Sequence, residues 1–100
     1  MAVFAISFRI DNGFDHPKRW QSVVDAIKKE AIDGDKWEET TSFFLIKSNK
    51  TAAELLDSIY YGSDLNESRD VILVLNTSFK DHAHKGAKYP YTLNALLDAR

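Results

Sequence analysis

Arg9 and Asp11 stand two residues apart in the stretch FAISFRIDN, residues 4–12. A guanidinium beside a carboxylate at that spacing can contact a phosphate and hold a divalent cation. On that reading Asp11 is a candidate catalytic carboxylate for Mg²⁺ or Mn²⁺, and Arg9 a candidate nucleic-acid contact. The bland alternative is a same-face ion pair, worth about 0–1 kcal/mol at a surface. A second constellation is His82 and His84 within KDHAHKG. Two imidazoles at that spacing can bind one metal if the segment is extended, with Asp81 or His16 completing the shell, or either can serve as a general acid or base. Its bland alternative is a solvated loop. The third is the basic, aromatic-interleaved stretch holding Lys80, Lys85, Lys88, Tyr89 and Tyr91. There lysines could neutralise phosphates and tyrosines stack on bases, or the segment could simply connect to a terminal helix.

The totals bound these options. One hundred residues make one domain, long enough to bury a modest core. The 44% apolar and 28% charged composition is that of an ordinary globule. A net charge of −2 supplies no global attraction to nucleic acid or to an anionic membrane. With no cysteine, the chain holds neither disulfides nor thiolate metal sites. No run reaches the ~20 apolar residues of a membrane span, and no basic stretch precedes an apolar one at the N-terminus. The expected location is the cytoplasm. No P-loop, dinucleotide-binding glycine pattern or nucleophile elbow occurs, and four glycines offer little material for a phosphate cradle.

The elements that must position the candidates follow from periodicity. Phe4, Ile6, Phe8 and Ile10 share one parity, which predicts a half-buried strand over 2–10. Trp20, Val23, Val24, Ile27 and Ala31 form one stripe of a helix from Pro17 to about residue 32, with Arg19 on its polar face, stopping at the DGD of 33–35. KWEETTSFFLIKS divides into a short strand near 36–40 and a buried one over 42–48. Thr51 and Glu54 form a capping box before a helix bearing Leu55, Leu56, Ile59 and Tyr60, ended by Gly62. VILVL, 71–75, reads as a strand covered on both faces. Periodicity is lost from Asn76 to Pro90, and YTLNALLDAR suggests a short helix capped by Thr92, with Leu93, Leu96 and Leu97 as its apolar side.

The order β-α-β-β-α-β predicts an α+β, ferredoxin-like split βαβ: an antiparallel sheet with both helices on one face. Residues 1–78 would form that domain, and 79–100 an extension packed on it or on a dimer partner. The parity of the first strand puts Ser7, Arg9 and Asp11 on the helix-free face. VILVL would lie at a sheet edge, which invites pairing with the tail or with another chain. A homodimer through the last strand, the open face or both is therefore expected.

The strand ending Phe8-Arg9-Ile10, the helix RWQSVVDAIK, the strand SFFLIKS and the capped helix AAELLDSI together resemble, over residues 2–76, two related groups. These are the small CRISPR-associated adaptation protein and its SinR-like and virulence-associated protein D-like relatives. The resemblance implies a ferredoxin-like homodimer, and, in many members, an acid directly after the aromatic residue of strand one that binds metal for cleavage. Here Phe8 is followed by Arg9, and Asp11 lies ~7 Å further along. The expectation is thus a dimeric module binding nucleic acid or protein with weak or no nuclease activity. One alternative is a metal-dependent endoribonuclease or endonuclease using Asp11. Another is a structural or regulatory domain without nucleic acid.

Overall fold

The computed structural model describes residues 2–34 and 36–99. In chain order these form β1 (Ala2–Arg9), α1 (His16–Glu30), β2 (Lys36–Thr40), β3 (Phe43–Ser48), α2 (Ala52–Tyr61), β4 (Val71–Asn76), β5 (His82–Lys85) and α3 (Pro90–Asp98). All five strands join one antiparallel sheet in the order β2-β3-β1-β4-β5. The architecture is α+β and ferredoxin-like, with one strand added at the C-terminal side. None of the described helices is long and apolar enough to cross a membrane.

The core sits where the parity of β1 requires it. Phe4, Ile6 and Phe8 are buried with Phe44 and Ile46 of β3 and Ile72 and Val74 of β4. Val23, Val24 and Ile27 of α1 and Leu55, Leu56 and Ile59 of α2 belong to the same core cluster. Trp20 and Tyr60 pack against it half-buried, and Tyr61 is exposed. The capping box is present: Glu54 N–H donates to Thr51 Oγ1 at 3.2 Å, and Thr51 N–H donates to the Glu54 carboxylate at 2.9 Å. Beyond α1, Asp33 and Gly34 take left-handed φ values of 55° and 73°, which turns the chain out of the helix. Asp35, part of the expected DGD stop, lies outside the described residues.

Four expectations need correction. The stretch 76–90 is not wholly irregular, because β5 pairs with β4 over Ile72↔Lys85 to Leu75↔His82. VILVL is consequently an inner strand, and of the two covers expected for its edge it is the tail of its own chain that pairs with it. α3 begins at Pro90, not after a Thr92 cap. Proline suits this first helical position because its missing N–H would lack a partner there anyway. Of the apolar side proposed for α3, only Leu97 is buried, while Leu96 is exposed. Arg19 does not belong to the polar face of α1; it is buried.

Candidate functional site

At the C-terminal end of β1 the chain does not continue as a strand, so Asp11 is not a further residue on Arg9's face. Arg9 is the last residue of β1, exposed on the open face opposite Val71. The Asp11 carboxylate turns instead to Arg69, whose Nη2 donates to Asp11 Oδ2 at 3.1 Å. The same nitrogen donates to Asp15 Oδ1 at 3.2 Å, so one guanidinium bridges both ends of the β1–α1 loop. Arg69 holds the Asp15 carboxyl below the usual carboxylate range, chiefly through this side-chain hydrogen bond. A carboxylate already neutralised in this way offers little to a divalent cation.

The adjacent residue, Asp70, anchors this end from inside. It is 2% exposed and paired with Arg19 of α1. Its carboxylate also accepts the backbone N–H groups of Asp11 and Asn66, each at 2.9 Å. Three segments therefore meet at one buried acid: the end of β1, the second turn of α1, and the loop leading into β4. Arg19 Nη2 also donates to the Asp64 carbonyl at 3.4 Å, and its buried Nη1 has no hydrogen-bond partner among the described residues. No pattern in the sequence marks either residue, since an arginine on a polar helix stripe reads as solvated.

The helix-free face is more apolar than the first strand alone suggested. Registry places Leu45, Ala5, Leu75 and His82 in one row across the sheet, and Phe43, Ser7, Leu73 and His84 in the next. Trp37 stands opposite Leu45 and is 38% exposed; Val3 is 40% exposed. The Trp37 and Phe43 rings meet edge to face, 6.1 Å between centroids. Val3, Trp37 and Leu45 line a shallow groove of about 230 Å³ with Lys36 and Lys47 at its sides. Along this face β1 presents Val3, Ala5, Ser7 and Arg9, the two small residues lying in its middle between larger ones of β3 and β4.

The remaining candidates lie on β5 and around α3. Lys85 faces the helices, its Nζ 4.9 Å from the Tyr60 ring centroid and 3.8 Å from the Glu67 carboxylate. Lys80 Nζ donates to the Asp98 carbonyl at 3.1 Å, and Lys88 lies over Tyr89. Lys85 thus stands on the opposite side of the sheet from Arg9, while Lys80 and Lys88 both lie by α3. His82 and His84 do stand together, with parallel rings 6.5 Å apart on the open face of β5. Asp81 does not join them, because its Oδ2 accepts the Ala52 N–H and so caps α2. His16 opens α1, next to Asp15 in the loop that follows the C-terminal end of β1. Among the described residues, no group of three or more histidine and acidic side chains is arranged to hold a metal ion. No family model, curated protein or solved structure matches this chain.

Proposed function

We propose that this chain is a cytoplasmic, dimeric interaction module that binds a second copy of itself through the open sheet face and does not cleave phosphodiesters. The observation that carries the reading is the apolar face built by Trp37, Phe43, Leu45, Val3 and Ala5. A two-layer domain buries one face of its sheet under helices; an apolar second face calls for another layer. Two such faces can pack on one another at the ~10 Å spacing of stacked sheets, each covering the other's apolar rows. A second copy, which presents the same apolar rows, is the occupant this reading favours. The resemblance to the CRISPR-adaptation and SinR-like group points to the same kind of dimer.

Binding is favoured over cleavage because Arg9 stands where those relatives keep an acid, and because Asp11 is committed to Arg69. The pairing of Lys85 with Glu67 and the net charge of −2 favour protein over DNA or RNA as the bound partner. The test is mass in solution. Dimer at micromolar concentration has twice the 11.4 kDa of one chain, and Leu45→Lys should give a folded monomer. Trp37 fluorescence should shift to shorter wavelength as the dimer forms. A monomer at every concentration, with Trp37 emission unchanged, would refute the proposal. Mg²⁺- or Mn²⁺-dependent cleavage of RNA or DNA, abolished by chelator and by Asp11→Ala, would instead establish the nuclease.

A further inference from the structure

We infer that α3 is a shoulder that orients the second copy: the partner covers β2, β3 and β1, its own β2 runs beside α3, and its Trp37 packs on Leu96. Self-association through the open face, as proposed above, is the premise; the orientation of the pair and the part played by α3 are what is added. His84 stands on the open face opposite Leu73, and its Nε2 lies 2.9 Å from the Asn94 side-chain oxygen. Lys80 donates to the Asp98 carbonyl at 3.1 Å, so α3 runs antiparallel to β5. Leu97 is 8% exposed yet stands outside the core cluster that α1 and α2 form with the sheet. Its cover therefore comes from the open side of β4 and β5, the side of Leu73 and Leu75. At about 100° per residue, Asn94 and Leu96 fall on either side of Leu97. Asn94 is turned to β5, so Leu96, 69% exposed, lies on the flank that faces β1.

A helix ~10–12 Å across fills the same layer as a second sheet stacked ~10 Å above the first. α3 thus closes the β4–β5 half of the face and leaves β2, β3 and β1, where Trp37 and Val3 are exposed. A two-fold axis across the strands would set α3 on α3 in a gap that holds one helix. An axis parallel to the strands and over β3 instead puts the partner's β2 above β1, beside α3. That axis preserves level along the strands. Pairing sets Trp37, Leu45, Ala5, Leu75 and His82 on one level. Leu96 lies near it, midway between Asn94 beside His84 and Asp98 beside Lys80. Trp37 of the second copy therefore meets Leu96, and two apolar side chains that the single chain leaves exposed cover each other. The same contact shields the outer edge of β2, which pairs with no strand among the described residues.

The chain has no cysteine, so introduced single cysteines report position cleanly. Leu96→Cys and Lys36→Cys chains, mixed and treated with a short bis-maleimide, should give a cross-linked pair that a further Leu45→Lys substitution abolishes. Leu96→Cys alone should not cross-link, because the two α3 helices stand about five strand spacings, ~24 Å, apart. Leu96→Glu should raise the dimer dissociation constant ~10-fold or more. It should leave thermal unfolding of the dilute monomer unchanged, since Leu96 is exposed there. Tyr91→Glu, on the other flank of α3 and 90% exposed, should leave the dissociation constant unchanged. A dimer by mass that Leu96→Glu does not weaken, or in which Leu96→Cys links to its own counterpart, would overturn the shoulder and leave open-face association standing. A monomer at every concentration would overturn both.

Discussion

Replacing Asp70 with alanine tests the physical account of the sheet end most directly. Asp70 is 2% exposed and Arg19 6% exposed, so solvent can compensate neither after the change. Removing one partner of a buried ion pair costs about 3–5 kcal/mol, because the remaining charge stays buried. The N–H groups of Asp11 and Asn66 lose their acceptor as well, adding about 1 kcal/mol each where they are partly buried. The expected loss is about 5 kcal/mol, against a total stability of about 5–15 kcal/mol for a domain. At about 4–8 °C per kcal/mol for a chain of this size, the melting temperature should fall by 20 °C or more. Urea and thermal unfolding followed by circular dichroism at neutral pH would measure it. Adding Arg19→Met removes the orphaned charge and should restore about 2–3 kcal/mol. A loss below about 1 kcal/mol, or a double variant simply worse than the single one, would refute the reasoning.

Further predictions follow from the same end of the sheet. Gly86 has φ of 82°, and a Cβ there would stand 1.8 Å from the Asp70 carbonyl oxygen, so Gly86→Ala must displace backbone. It should cost about 2 kcal/mol or more, whereas Gly34→Ala, also at positive φ but in open space, should cost only about 1 kcal/mol in urea unfolding. Arg69→Gln should let the Asp15 carboxyl titrate at a higher pH than in the native chain, as read by NMR. The sign follows from linkage: a depressed folded-state pKa contributes stability above the unfolded carboxylate value, near 3.9, that is lost as pH falls through the lower folded value. The stability difference between native chain and variant should accordingly shrink below about pH 4, and an unchanged Asp15 titration would count against the Arg69 bridge.

The local elements were legible wherever one physical signal dominated. Alternation of Phe4, Ile6 and Phe8, the stripe from Trp20 to Ile27, and the Thr51/Glu54 box each encode a period or a cap that few residues can imitate. Those signals, with their order along the chain, determined two helices on one face of an antiparallel sheet. What they could not determine were the partners of polar and charged side chains. Arg19 looks solvated beside Lys18, and Asp70 closes a polar loop; only the folded chain brings them together across 51 positions. In the same way, HAHK reads as loop because four residues carry too little periodicity, yet the unpaired edge of β4 makes it a strand. Hydrophobic periodicity is a property of neighbouring residues and survives in one dimension. The pairings of Asp11 with Arg69 and of Arg19 with Asp70 arise between distant segments, 58 and 51 positions apart. They exist only once burial of the core has fixed how the strands register.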